Sequence, residues 1–410
     1  MKINWFHLMP YRWLPDDFRE QHRSVWVDIP SSLWDSRKGH HLYNEYLDEL
    51  EFAEKMGVDG ICVNEHHSNG YGLMPSPNIM AACLARRTSR ANLVVLGNSL
   101  ALYNPPLRVA EEFAMLDCIS GGRFVAGFPI GTSMDDNFAY GLIPATLRER
   151  YYEAHDLIMK AWTTPEPFAF NGRYNKIRYV NTWPRPLQQP HPPVWVPGGG
   201  SVETWDWTLD RDYAYCYLSY FGYQYAKRVM AGFWEKVAEK GVEPNPYRAG
   251  FLQLICVSET DAQAEKDYGP HVDYFFNRCL HGYSGFADAP GYRTEATIRA
   301  GMQAQGGNVA DLYRYGLSWK DVVERGYIIA GSPATVRDRL TEAVKGLNIG
   351  QLMVLQQIGS MPKALVLKNI ELFAKEVMPS IKQIWTDRWQ DRWCPQPLAE
   401  RAVPGEAVAN

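Results

Sequence analysis

Eight apolar runs of strand length recur along this 410-residue chain, at residues 3–9, 60–63, 93–96, 124–127, 194–196, 213–218, 251–257 and 351–355, with helical patterns between them. Runs that are continuous rather than alternating belong to strands buried on both faces, as parallel strands covered by helices are. Eight such units predict an α/β fold, a closed (β/α)8 TIM barrel rather than an open sheet. The helices between them are legible as well. Tyr43, Tyr46, Leu47, Leu50 and Ala53 share one face across residues 43–56, and Gly57 follows. Pro105-Pro106 opens residues 107–119, where Val109, Phe113, Leu116 and Ile119 keep helical spacing before Ser120-Gly121-Gly122. Pro333 opens residues 334–344, with Gly346 beyond.

Two segments exceed what a minimal barrel needs: residues 10–41, carrying Trp13, Trp26 and Trp34, and residues 268–330 between the seventh and eighth runs. Both would project from the C-terminal face, so they read as walls or a lid over a site. The expected organisation is one barrel domain over residues 1–384 with insertions at about 10–41 and 268–330, then a loosely held C-terminal extension over 385–410 containing Pro395, Pro397 and Pro404. An apolar content of 46% supplies the core such a domain requires. A formal charge of −4, from 42 basic and 46 acidic residues without long single-sign runs, argues against a nucleic-acid stripe or a polybasic membrane patch. The first residues lack the apolar stretch of a signal peptide and no later segment has the length of a membrane span, so the cytoplasm is the expected location. Seven cysteines without a C-x-x-C pair predict buried thiols, with neither disulfides nor a metal site. The 13% aromatic content suits a pocket for a flat or apolar ligand, and suits a large packed core equally well.

Chemistry concentrates at Val63-Asn64-Glu65-His66-His67-Ser68, directly after the second run, where a buried strand reaches the rim of its sheet. An imidazole there can deprotonate a substrate near neutral pH. His66 is the candidate, Glu65 or Asn64 is expected to orient it, and His67 should face the other way because adjacent strand-end residues alternate. After the fifth run comes Pro197-Gly198-Gly199-Gly200-Ser201-Val202-Glu203-Thr204 and a helical pattern. Gly199 and Gly200 let the backbone approach an anion, while Ser201 and Thr204 add hydroxyls and N–H groups at a helix N-terminus, in outline a monophosphate cradle. The turn is neither a Walker nor a Rossmann sequence. Arg123 precedes the fourth run, which puts it at the opposite rim in a structural ion pair.

The order of these pieces is specific: Asn64-Glu65-His66-His67, then Asn98 to Asn104 with Pro105-Pro106-Leu107-Arg108-Val109-Ala110-Glu111-Glu112, then Leu116-Asp117-Cys118-Ile119-Ser120-Gly121-Gly122-Arg123, the turn at 198–204, and Gly331-Ser332-Pro333. It resembles the bacterial luciferase-like flavin-dependent monooxygenases over roughly residues 1–380. The resemblance implies a (β/α)8 barrel that binds flavin mononucleotide (FMN) at its C-terminal end, usually as a homodimer. Many members are two-component enzymes in which a separate reductase delivers reduced FMN. That flavin captures O2 as a C4a-hydroperoxide and inserts one oxygen atom into a small organic substrate. Other members use the deazaflavin F420 and never handle O2, and some barrels are non-catalytic flavin-binding subunits.

Carried over by position, His66 matches the family's active-site histidine, with Glu65 beside it, and Gly199, Gly200, Ser201 and Thr204 match its phosphate contacts. Tyr151, in Arg148-Glu149-Arg150-Tyr151-Tyr152-Glu153, resembles a tyrosine near the cofactor, and Asn98 would neighbour the isoalloxazine edge. His7, Tyr11 and Trp13 would face a pocket for an apolar or aromatic substrate such as a ketone, aldehyde or ring compound. Helices 77–87 and 107–119 resemble the family's dimer-forming pair. One departure stands out: where some relatives place Cys-Arg after the fourth strand, this chain reads Phe128-Pro129-Ile130-Gly131. Phosphate recognition is then left to backbone amides, hydroxyls or a basic residue from elsewhere.

Overall fold

A computed structural model describes residues 1–131, 134–283, 291, 294–295, 297–299 and 317–398. Eleven strands lie among them: β1 (Lys2–Phe6), β2 (Gly60–Val63), β3 (Asn92–Val95), β4 (Phe124–Gly127), β5 (Phe168–Asn171), β6 (Lys176–Val180), β7 (Val194–Gly198), β8 (Ala214–Tyr217), β9 (Ala249–Val257), β10 (Ile328–Gly331) and β11 (Gln351–Leu355). The ring runs β1-β2-β3-β4-β7-β8-β9-β11 and returns to β1, every pairing parallel, with the β8–β9 contact closing it. The expected eight-stranded barrel is therefore present. β2, β3, β4, β8, β9 and β11 are almost wholly buried, because one face fills the barrel and the other meets the helices.

Two strand features go beyond the sequence reading. β10 pairs with the C-terminal half of β9, extending the sheet outside the ring. β5 and β6 form an antiparallel hairpin between β4 and β7. The helix expected over 43–56 begins earlier, at Ser36, because Asp35 accepts hydrogen bonds from the Arg37 and Lys38 N–H groups and caps it. Leu107–Ser120 ends at Gly121, whose φ of 70° closes the last turn. Pro333–Leu347 is capped by Ser332 and ends at a left-handed Asn348, so Gly346 lies inside the helix rather than beyond it.

The N-terminal rim is sealed. Arg123 is buried there and donates to the carbonyls of Ser120, Ala91, Ala85 and Thr88 and to the Thr88 hydroxyl. Its position agrees with expectation, while carbonyls fill most of the role assigned to an ion pair. Residues 385–398 also cross this rim, and they are not loosely held. The indoles of Trp385 and Trp393 donate to Ile349 O and Asp212 O, the Trp195 indole donates to Trp393 O, and Leu398 N donates to Gly121 O. Proline content suggested a loose tail, but three tryptophans gave it apolar area to bury. Residues 399–410 and most of 284–316 lie outside the described residues, so the second insertion and the end of the extension are expectations only.

Four of the seven cysteines (Cys62, Cys216, Cys256 and Cys279) are buried free thiols, while Cys83 and Cys118 are exposed. Among the described residues no helix is long and apolar enough to cross a membrane.

Candidate active site

Every ring strand is parallel, so the turns after β2, β3, β4, β7 and β8 all open at one end of the barrel. The Glu-His-His segment and the glycine-serine turn therefore share the C-terminal mouth, as the sequence reading requires.

At the β2 exit, side chains alternate, and Glu65 and His67 fall together. His67 Nε2 lies 2.9 Å from Glu65 Oε1, and Glu65 also accepts from Ser99 N at 2.7 Å and the Tyr103 hydroxyl at 3.0 Å. This corrects the expectation that Glu65 or Asn64 orients His66. The period of two that turns His67 away from His66 turns Glu65 away as well, and Asn64 Oδ1 is buried without a partner. Glu65 tethers the β2 and β3 exits to each other.

His66 meets different neighbours. Its ring packs edge-on against Trp26 and Tyr71, at centroid distances of 5.6 and 4.8 Å. Trp26 belongs to the first insertion, which therefore packs against His66 at the β2 exit. The Tyr71 hydroxyl reaches the Tyr220 hydroxyl beyond β8, closing the wall across the opening. Nδ1 of His66 is buried with no hydrogen bond, and Oδ2 of Asp135 lies 3.9 Å from it. Burial, helped by the adjacent His67, lowers the His66 imidazole to about 3, so it is neutral near pH 7 and a weaker base than the near-neutral imidazole expected from the sequence.

Asp135 and Asp136 begin the short helix Met134–Ala139 after β4, and both are 2% exposed. Asp135 accepts from Asn69 Nδ2 at 2.7 Å, and Asn69 also fastens the loop after β2 through the N–H groups of Tyr71 and Gly72. Burial raises Asp135 to about 6 and raises Asp136 as well, with Asp135 and Glu65 as further causes for Asp136. A folded-state value above the unfolded one means that the native protein holds the Asp135 proton more tightly. The associated stability is present below about pH 4 and is lost as pH rises through about 6. Asp135→Asn removes that loss. Urea midpoints should show the variant more stable than wild type at pH 8, by on the order of 2 kcal/mol, with the gap closing by pH 4.

After β7 comes the glycine-serine turn. Gly200 adopts φ +98° and donates its N–H to the Tyr215 hydroxyl at 3.0 Å, while a Cβ on Gly199 would meet nothing within 4 Å. Ser201 is the N-cap residue of helix Val202–Asp210, with Thr204 in its first turn. A basic residue does lie beside the turn: Arg148, whose Nη2 donates to Ser201 Oγ at 3.1 Å. Glu203 accepts from Ser201 Oγ at 2.8 Å and from the hydroxyls of Thr294 and Thr297.

Asn98, at the β3 exit, is fully buried; its Oδ1 accepts from Asn78, and its Nδ2 donor has no partner. Orphaned buried polar atoms cost stability unless a ligand satisfies them. Asn98 Nδ2, an unsatisfied donor at the same end of the barrel as the glycine-serine turn, fits a flavin whose heteroaromatic edge would meet it and whose phosphate would sit at Ser201.

Other expected residues lie elsewhere. Tyr151 is fully buried, its ring against Tyr152 and Trp207 and its hydroxyl donated to Phe128 O at 2.8 Å, so it braces the wall behind the mouth. His7 is also fully buried, with Nε2 3.0 Å from Glu49 and Nδ1 accepting from Met9 N, so both its ring nitrogens are engaged within the protein. Burial lifts Glu49 to about 8, and Arg12 bonds to its other oxygen. Tyr11 packs on Trp13 and Trp34, and Trp13 is 40% exposed beneath Lys38. Tyr71, Asp135 and Tyr220 were not picked out from the sequence, and Trp26 and Arg148 stood out only as members of the first insertion and of the Tyr151 segment. The signal available for Asp135-Asp136 was an acidic pair on the catalytic side of a barrel strand.

The family model described as luciferase-like monooxygenase matches residues 27–348. The oxygenase component of flavin-dependent trigonelline monooxygenase from Acinetobacter baylyi is 30% identical over 40% of this chain and 45% of its own length. An F420-dependent glucose-6-phosphate dehydrogenase from Kineococcus radiotolerans is 32% identical over 36% of this chain and 44% of its length. The chain thus spans under half of either relative. Among solved structures, the oxygenating constituent of 3,6-diketocamphane monooxygenase from Pseudomonas putida, in complex with FMN, superposes with a TM-score of 0.67 at 19% identity. That alignment covers 92% of this chain and 98% of the other and reports on the fold. With a family match over most of its length, a closed parallel barrel, and His66 at the same mouth as the glycine-serine turn, the chain belongs to the luciferase-like monooxygenase family.

Proposed function

We propose that this protein is a monooxygenase that takes reduced FMN from a separate reductase and O2, and oxygenates a small apolar or aromatic molecule. The observation that carries the reading is the pairing, at one barrel mouth, of a neutral buried imidazole with an anion turn reinforced by Arg148. Reduced FMN, when bound, supplies the two electrons that activate O2. The chain's own residues do the rest. Gly199, Gly200, Ser201, Thr204 and Arg148 would hold the phosphate, and Asn98 would meet the ring edge. Trp26, Tyr71 and Tyr220 exclude water, which protects a reactive oxygen species from premature release. His66 receives or returns a proton at a ring nitrogen. Aromatic walls that include Tyr103 and Tyr140 favour an apolar or ring-containing substrate.

A homodimer is part of this proposal. Ile79, Met115 and Ile119 stand exposed on the paired helices Pro77–Arg87 and Leu107–Ser120, where an apolar outer face suits a second copy.

The test mixes the protein with anaerobically reduced FMN and then with 18O2, using ketones, aldehydes and aromatic heterocycles as candidate substrates. The expected result is slowed flavin reoxidation and one 18O atom in the product, from this chain plus any generic flavin reductase. Tight F420 binding with no oxygen uptake would replace the proposal with an F420-dependent oxidoreductase, the activity named for the Kineococcus relative.

A further inference from the structure

We propose that Asp135 is a positioning residue for His66: its carboxylate accepts the Nδ1 proton, which leaves Nε2 as the unprotonated nitrogen available to substrate. The inference rests on the reading of His66 as the proton-handling group of this mouth. Three observations carry it. Nδ1 is a buried ring nitrogen with no hydrogen bond, although the His66 side chain as a whole keeps 17% of its exposure. Asp135 is buried and one of its oxygens, Oδ1, has no partner, so the carboxylate has unused accepting capacity. Asp135 Oδ2 lies 3.9 Å from Nδ1, a gap that a displacement of about 1 Å turns into a hydrogen bond, and such contacts commonly tighten only when substrate binds.

The surroundings make Asp135 the fitting partner. Glu65 and His67, flanking His66 on its own segment, are joined to each other. Tyr71, from the loop after β2, offers its ring and directs its hydroxyl to Tyr220. Trp26, from the first insertion, presents an aromatic ring. Asp136, beside Asp135 on the same helix, keeps an unpartnered oxygen and stands next to the carboxylates of Asp135 and Glu65. Asn69 ties Asp135 to the loop that carries His66, which keeps the carboxylate beside the imidazole. A carboxylate on one imidazole nitrogen fixes the tautomer and leaves the other nitrogen basic.

The test reads the tautomer by 15N NMR of histidine-labelled, flavin-free protein near pH 8, with the His66 signals identified by their loss in His66→Ala. Wild type is expected to be mainly the Nδ1–H form. Asp135→Leu, which removes the acceptor, should move the ratio about tenfold toward Nε2–H. Asp135→Glu should restore it, which a purely structural role would not require. If Asp135→Leu does not fold, Asp135→Asn supplies the same comparison, with a smaller move in the same direction. An unchanged His66 tautomer in a folded Asp135 variant would overturn the pairing. Because no flavin or turnover enters this measurement, the pairing can fail while the oxygenase reading stands, and the 18O2 experiment can fail while the pairing stands.

Discussion

Replacing His66 by alanine should lower oxygenation by about 10²-fold or more while leaving the affinity for reduced FMN near that of wild type. The reasoning is local. Phosphate binding belongs to the turn after β7 and to Arg148, and the flavin edge to Asn98, none of which the structure joins to the His66 ring. What His66 brings is an imidazole that burial lowers to about 3, so it enters the reaction neutral and readily gives up again any proton it takes. Removing it leaves Trp26 and Tyr71 around a small cavity and no proton carrier in its place. Flavin affinity from tryptophan quenching, set beside product formed per reduced FMN consumed, separates the two effects. The variant should consume O2 without oxygenating substrate. Product at the wild-type yield would remove His66 from the mechanism.

How far the fold could be read from the chain depends on how many faces each element buries. The ring strands are covered on both sides, so their apolar runs are continuous and all eight stand out. β10 is only four residues long and ends in Gly331, at the edge of a segment that reads as an insertion, and β5–β6 are half exposed, with little apolar pattern to mark them. The site followed the same logic. Motifs that are contiguous in sequence, Glu65-His66-His67 and Gly198-Gly199-Gly200-Ser201, were visible and share one mouth. Partners that meet only through folding were not: Arg148 reaches Ser201 across 53 positions, and Asp135 approaches His66 from the exit of a different strand. The misassigned partner, Glu65, shows the limit of adjacency. In extended chain, the residue next door points away and the residue two along points the same way, so His67 and not His66 receives its carboxylate.

Gly127→Ala should be a severely damaging single-methyl change near the mouth, costing about 3 kcal/mol or more. A Cβ at Gly127 would sit 2.0 Å from Val95 O, and one at Gly97 would sit 2.0 Å from Gly127 O. The exits of β3 and β4 thus meet backbone to backbone, and no side chain can swing aside to make room. Their closeness also serves the site, because Gly127 O accepts the Asn98 N–H at 3.2 Å and Phe128 N donates to Trp195 O. An alanine must push the two strands apart at the point where Asn98 is held. Most of the Gly127→Ala protein should therefore fail to accumulate in soluble form, and any folded fraction should unfold at much lower urea and bind FMN weakly. Gly199→Ala is the matched comparison: its Cβ would meet nothing within 4 Å, so its stability should stay within about 0.5 kcal/mol of wild type. The same methyl fills space left open at the anion turn, so FMN affinity alone should fall. Equal urea midpoints for Gly127→Ala and wild type would mean that the β3–β4 contact is looser than the structure has it, and Asn98 would then lose its fixed place at the mouth.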